Sequence, residues 1–197
     1  MKNFLIAVPA LMLLSACTPT RMSELNNING LQYGVGSFGA EIIESYTVTR
    51  NQTSSNNILS MCVRNSIDNH AVVLQDNANS FVGASGTYYN INKQYVVNGG
   101  ANIQQQLPNG IVAQGVTYYS SMLIGYAVKY QLTVRQNNNN ISYTFNNIQQ
   151  AQQNTGSMNN YGFSQIFTDK WSASGATSVV KKLDEEVDKI DSCLASY

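Results

Sequence analysis

The sequence has few of the residues on which catalytic and metal sites usually depend. It contains a single histidine, His70, and three cysteines among 197 residues. Because a zinc site takes about four Cys, His or carboxylate ligands, the composition predicts neither a metal site nor a cofactor. Acidic residues before the C-terminal region are few and scattered, which disfavours a catalytic carboxylate pair. We therefore expect a protein that is not an enzyme and has no catalytic residues.

Charge of either sign is also scarce. Charged residues make up 11 % of the chain, with eleven basic and eleven acidic side chains. Binding to nucleic acid requires a basic surface that neutralises phosphates, so no nucleic-acid partner is predicted. The polar residues are mostly Asn and Gln, accompanied by twelve Tyr. This composition is typical of antiparallel sheet with amide-rich turns.

One long apolar run is present, from Phe4 to Leu14, and it follows Lys2. The run is shorter than the roughly 20 residues that cross a bilayer, but it has the length of a signal-peptide core. Its last residues lead into Leu14-Ser15-Ala16-Cys17, which resembles the lipobox of bacterial lipoproteins. The resemblance implies a signal peptide over 1–16, cleavage before Cys17 and lipid attachment to Cys17. The alternative is an ordinary secretory signal followed by a chance cysteine.

The residue after the cysteine indicates whether a lipoprotein of this kind is anchored in the inner or the outer membrane. In the Gram-negative sorting rule that the resemblance brings with it, Asp after the cysteine favours the inner membrane, and this chain has Thr18 there. The resemblance therefore implies an outer-membrane protein with a lipid anchor, and the leaflet stays open. Several acyl chains anchor stably, because each buried methylene contributes about 0.8 kcal/mol.

Residues 17–39 lack apolar periodicity and are rich in Asn, Gly and Ser, which predicts a flexible tether. Within them, residues 34–39 match the G-x-G-x-x-G string, but a phosphate site of that kind needs a helix directly after it. The following residues are typical of a strand, so no nucleotide site is predicted. The remaining residues, 40–197, are enough for a single domain with its own core.

The first half of this domain alternates between strand and helix patterns. Residues 42–49 predict a strand, and Ser54 or Ser55 is placed to cap a short helix that follows. Residues 70–75 and 81–90 then predict two further strands. Pro108-Asn109-Gly110 predicts the turn of a hairpin between strands 95–106 and 111–116.

The clearest strand pattern runs from Tyr126 to Asn146, where apolar and polar residues alternate on both sides of an Asn-rich loop. This predicts an antiparallel hairpin with one buried and one polar face. We consider the polar face a candidate contact surface for an envelope protein or a glycan, with plain solvation as the alternative. Its residues are Lys129, Gln131, Thr133, Arg135, Ser142, Thr144 and Asn146.

A long amphipathic helix is predicted at the C-terminus, because apolar residues recur there at alternating spacings of four and three. Its charged residues between Lys181 and Asp191 are expected to form the solvated side. The fold class is therefore α+β, an antiparallel sheet with a short helix on its N-terminal side and a long C-terminal helix covering one face. The apolar residues are Ala176, Val180, Leu183, Val187, Ile190 and Leu194.

This order of elements resembles small exported bacterial lipoprotein domains of unknown function with a TATA-binding-protein-like β-α-β4-α fold. The resemblance is carried by residues 58–86, in which a short helix leads into His70-Ala-Val-Val-Leu-Gln75 and a glycine-containing strand, and by 130–148, the alternating hairpin. It covers roughly residues 41 to 196 and implies a fold and an exported location. It implies no active site.

Cys62 and Cys193 each lie on or beside the inward stripe of a predicted helix. Disulfides persist in exported proteins, and both helices are expected to cover the same sheet face. We therefore hypothesise a Cys62–Cys193 disulfide. Two separate buried thiols are the alternative, since free cysteine is among the most buried residue types.

Two other function classes remain open. Aromatic rings stack on sugars, so the sheet tyrosines suggest a binder of a glycan or another small molecule. Less favoured is an envelope hydrolase, suggested by Ser66, Asp68 and His70, because the groups of a catalytic triad usually come from separate elements. The tyrosines concerned are Tyr88, Tyr89, Tyr118, Tyr119 and Tyr126.

Overall fold

The computed structural model describes residues 20–170 and 175–197. The predicted signal peptide and Cys17 lie outside the described residues. A short 3-10 helix, Ser23–Asn27, and a turn, Ser37–Gly39, accompany the main elements. These are β1 (Leu31–Val35), β2 (Glu41–Arg50), α1 (Asn56–Ser66), β3 (Val72–Asp76), β4 (Phe81–Val82), β5 (Tyr88–Tyr89), β6 (Lys93–Val97), β7 (Ile103–Leu107), β8 (Gly110–Ser121), β9 (Ile124–Asn137), β10 (Asn140–Gln152), β11 (Ser164–Gln165) and α2 (Ala176–Leu194).

The main element is a seven-stranded antiparallel sheet with strand order β1-β2-β10-β9-β8-β7, in which β11 pairs with one end of β10. The predicted hairpin forms its centre, with Tyr143 opposite Val134 and Phe145 opposite Leu132. All four side chains are buried on one face. The period-two alternation of the sequence therefore places one row of apolar residues against a single core.

Helices α1 and α2 cover that apolar face, which confirms the predicted α+β class. The hydroxyl of Ser55 accepts a hydrogen bond from the Ile58 amide at 3.3 Å and so caps α1. The six apolar residues predicted for the inward stripe of α2 are all buried. One expectation for α2 is wrong. The sequence predicts Glu186 on the solvated side, but Glu186 is 2 % exposed and its Oε1 accepts a hydrogen bond from Lys189 Nζ at 2.8 Å.

Hydrogen bonds to aspartates of α2 hold this helix to the sheet. Tyr46 Oη donates to Asp184 Oδ1, and Tyr143 Oη donates to Asp191 Oδ1, both at 2.6 Å. Arg50 Nε donates to Asp191 Oδ2 at 3.0 Å. Burial, reinforced by these carboxylates, raises the pKa of both tyrosine hydroxyls. The phenols therefore stay protonated and remain hydrogen-bond donors over the physiological pH range.

A small ribbon of β3 and β6 lies on the opposite face of the sheet and covers one end of it. Val72 and Leu74 of β3 pack against Val116, Ala127 and Ala151 of the central strands. Small side chains at positions 127 and 151 allow this close approach. The other end of the same face carries no such layer within the described residues.

The flexible tether predicted over 17–39 is wrong for residues 20–39, which fold onto the domain. Leu25 is completely buried, and β1 pairs with β2 along the edge of the main sheet. Arg21 donates from Nε to Glu41 Oε1 at 2.6 Å, and its guanidinium stacks 3.5 Å from the Tyr33 ring centroid. The Arg21 contact also holds the pKa of the Glu41 carboxyl below its ordinary value. The domain therefore begins about twenty residues earlier than the predicted boundary at 40.

Two of the other predicted strands also have different bounds. Residues 81–90 form two-residue strands, β4 and β5, joined by a turn with Gly86 at a φ of 77°. Residues 95–106 divide between β6 of the ribbon and β7 of the main sheet. The predicted turn at Pro108-Asn109 is confirmed, since Leu107 pairs with Gly110 across it.

Cys62 and Cys193 form the predicted pair, with their sulfur atoms at the bonding distance of 2.02 Å. The pair joins α1 to α2 on the covered face of the sheet. Among residues 20–170 and 175–197, no helix has both the length and the apolar character required to cross a membrane.

Candidate functional site

The predicted polar residues lie together on the face of the sheet opposite the two helices, in the part that the β3–β6 ribbon does not cover. We call this surface the open face. Ser142 pairs with Arg135, Thr144 with Thr133, and Asn146 with Gln131. Strand β2 extends these rows through Thr49, Thr47 and Ser45, and β8 extends them through Val112 and Gln114. Four adjacent strands therefore contribute side chains to one surface.

The open face consists mainly of hydroxyl and amide groups. The hydroxyls of Thr47 and Thr144 are 3.1 Å apart, within hydrogen-bond distance across neighbouring strands. A shallow depression of about 310 Å³ lies beside this row and is lined by amides that include Gln114, Gln131 and Gln149. Such a surface can donate and accept many neutral hydrogen bonds.

A β-bulge interrupts the open face in β10. The pairing shifts between Asn146 and Gln149, and Asn147 adopts a φ of 51°. Asn tolerates this left-handed conformation better than most residues. The extra residue lets Ile148 enter the core while Gln149 returns to the open face. Bulges commonly re-aim side chains beside functional surfaces.

Two basic residues give the face its charge. Arg135 is exposed near one end, whereas Lys129 lies at the boundary with the ribbon, where its Nζ is 4.8 Å from the centroid of the Phe163 ring. The predicted set thus combines neutral hydrogen-bonding groups with two cations. That chemistry suits a polar macromolecular surface or the hydroxyls of a glycan.

Sequence reasoning missed the residues that β2 and β8 add to the open face, and it missed Gln149 of β10. Those from β2 are Thr49, Thr47 and the buried Ser45, and those from β8 are Val112 and Gln114. Gln114 lies opposite Gln131 because the loop at Met122-Leu123 sets the register of β8 against β9, and a Met-Leu pair is not a turn signal. The register of β2 had no local signal either. Its pairing with β10 joins residues almost one hundred positions apart.

The five tyrosines proposed as a sugar platform do not come together. Tyr119 and Tyr126 stack on each other at 4.9 Å on the covered face, and Tyr119 Oη donates to Gln150 at 2.7 Å. Tyr118 points to the other side of β8, whereas Tyr88 and Tyr89 are exposed on the small β4–β5 hairpin. The set therefore does not form one binding surface.

Ser66, Asp68 and His70 lie close together without the arrangement of a triad. The His70 side chain is 86 % exposed, and its Nδ1 contacts Asp68 Oδ1. No hydrogen bond joins Ser66 to the imidazole in the described part of the chain. Asp68 also accepts the His70 amide at 3.1 Å, which marks a local turn.

The described residues contain no group of three or more His, Cys, Asp or Glu side chains placed to hold a metal ion. Comparisons of the chain with protein-family models, with curated proteins and with solved structures found no match. The open face is thus characterised by its own geometry and chemistry.

Proposed function

We propose that this protein is an outer-membrane lipoprotein, and that its domain is a non-enzymatic module that offers the open face to another component of the cell envelope. The anchor is the acylated Cys17, and the partner is an envelope protein or glycan. The observation that carries the proposal is the combination of the Leu14-Ser15-Ala16-Cys17 motif with a domain that begins directly after it.

The chemistry of the open face supports interaction rather than turnover. Its residues are mainly hydroxyls and amides on the central strands, together with Lys129 and Arg135. Among the described residues of this face, no nucleophile is activated by a base. A flat array of hydroxyl and amide groups is well suited to contact with another surface, because each group can donate or accept hydrogen bonds there.

Replacing Cys17 by serine should abolish incorporation of a clickable palmitate analogue, because the thiol that carries the lipid is lost. The measurement is in-gel fluorescence of the protein after metabolic labelling. Cys193→Ser is the matched control and should retain the label, since Cys193 belongs to the pair in the domain. A labelled Cys17→Ser protein would rule out the proposed anchor.

The interaction face can be tested by photo-crosslinking in intact envelopes. A photoreactive amino acid at Thr144 or at Arg135 should give the same covalent adduct, because the two positions lie on adjacent rows of the open face. The same amino acid at Lys181, which is exposed on α2 behind the sheet, should not give it. Equal adducts from all three positions, or none, would contradict the proposed contact surface.

A further inference from the structure

Three large apolar side chains occupy hairpin loops in the left-handed backbone region. Phe38 has a φ of 59°, Met122 of 47° and Leu123 of 69°. All three are essentially fully exposed, with relative exposures of 94 % or more. Residues with a Cβ rarely adopt this conformation, and Asn or Gly usually does so in their place. Neither backbone preference nor packing within the domain explains these residues.

The loops at the other end of the sheet have a different composition. Loops there consist of Pro108-Asn109 between β7 and β8 and Asn138-Asn139 between β9 and β10, which are ordinary polar turn residues. Met122-Leu123 forms the equivalent two-residue loop between β8 and β9. A loop in which both residues have positive φ strongly favours Asn-Gly or related pairs. Apolar loops are thus confined to one end of the main sheet.

The N-terminal part of the chain joins the domain at that same end. Strands β2 and β9 both pair antiparallel with β10, so they run in the same direction and begin at one end of the sheet. Phe38 immediately precedes β2, and Met122-Leu123 immediately precedes β9. Arg21 bonds to Glu41, the first residue of β2. The chain therefore enters beside the apolar loops.

The distance from the lipid attachment site to the domain is short. Cys17 and Thr20 are three residues apart, which even in a fully extended chain spans only about 11 Å. The headgroup region is about 6 Å thick on each side of a bilayer. With acyl chains on Cys17, the domain therefore cannot stand far from the membrane, in contrast to what a flexible tether over 17–39 would allow.

We propose that this end of the sheet rests on the bilayer and that Phe38, Met122 and Leu123 insert into its interfacial layer. The proposal depends on the lipid anchor of the proposed function. Burial in lipid would offset the unfavourable exposure of three large apolar side chains. The strands then stand away from the membrane, and the open face remains accessible beside it.

A site-specific fluorophore tests the proposal in the processed lipoprotein reconstituted in phosphatidylethanolamine–phosphatidylglycerol vesicles. The environment-sensitive dye NBD is attached to Leu123→Cys or to Phe38→Cys, with Asn138→Cys as the control at the opposite end. The introduced thiol is the reactive one, because Cys17 carries lipid and Cys62 is paired with Cys193. Emission should rise severalfold and shift to the blue at 123 and 38, with quenching by bromolipids, but stay as in water at 138.

The experiment distinguishes failure of the proposed loop insertion from failure of the proposed lipid anchor. If the protein floats with the vesicles while dyes at 123 and 38 still report water, the anchor stands and the insertion is wrong. If the protein does not float, the lipid anchor itself is wrong, and the insertion with it. A dye that is shielded only in native envelopes, and not in pure lipid, would overturn the proposal in favour of a protein partner.

Discussion

Replacing both Cys62 and Cys193 by alanine should lower the free energy of unfolding by about 3–5 kcal/mol. The two residues are 131 positions apart, so the bond closes a very long loop in the unfolded chain and removes much of its entropy. It also fastens α1 to α2, the two helices that cover the sheet. Chemical denaturation under oxidising conditions, compared between the wild type and the double variant, measures the difference.

Reductant provides the matched control for this prediction. It should lower the stability of the wild type to that of the double variant and leave the double variant unchanged. A parallel thiol assay on the denatured, unreduced wild-type protein should find neither Cys62 nor Cys193 reactive. Two reactive thiols would contradict the disulfide in the native protein.

Replacing Phe145 by alanine should cost a similar amount, about 3–5 kcal/mol of unfolding free energy. Phe145 is fully buried in β10, the strand at the centre of the sheet. Its ring packs edge-to-face against Tyr130 at a centroid distance of 5.1 Å and lies near Tyr46. Truncation leaves a cavity between the sheet and the helices that rigid central strands cannot close. Equilibrium denaturation measures the loss.

Phe81→Ala is the control with the same change of side chain. Phe81 is 52 % exposed on the β4–β5 hairpin, where its ring stacks on Tyr89. This substitution should therefore change the unfolding free energy by less than about 1 kcal/mol. A loss of less than about 1 kcal/mol for Phe145→Ala would contradict the central position given to this ring.

The two proposed surfaces are compatible because they occupy different parts of the sheet. The apolar loops lie at the end where β2 and β9 begin, whereas the open face lies on the flat side of the same strands. If the domain rests on that end of the sheet, the strands stand upright on the membrane. The open face is then roughly perpendicular to the membrane surface and faces sideways. The proposed orientation would limit the proposed partner to components that approach the protein from the side.

Local patterns predicted the elements in which one face is buried. The alternation from Tyr126 to Phe145 identified β9 and β10, and the repeated spacing from Ala176 to Leu194 identified α2. Once both helices were assigned to one face, pairing of Cys62 with Cys193 followed as a hypothesis. These predictions succeeded because periodicity records which side of an element meets the core.

Features that the sequence did not predict depend on contacts between residues far apart in the chain. Residues 20–39 have no apolar period, yet β1 forms on the free edge of β2, where main-chain hydrogen bonds stabilise almost any sequence. Glu186 occupies an inward position of α2 although its neighbours in sequence are charged. No local pattern distinguishes such residues from a solvated loop or a solvated helix side.

The sequence alone therefore determined an α+β domain with a covered sheet face, a pair of cysteines able to meet, and the lipobox-like motif at Cys17. Only the tertiary structure decided that the domain begins near residue 20 and which loops share the end of the sheet where β2 and β9 begin. The physical reason is that periodicity reports burial along one element, whereas the direction and order of strands depend on contacts between residues far apart in the chain.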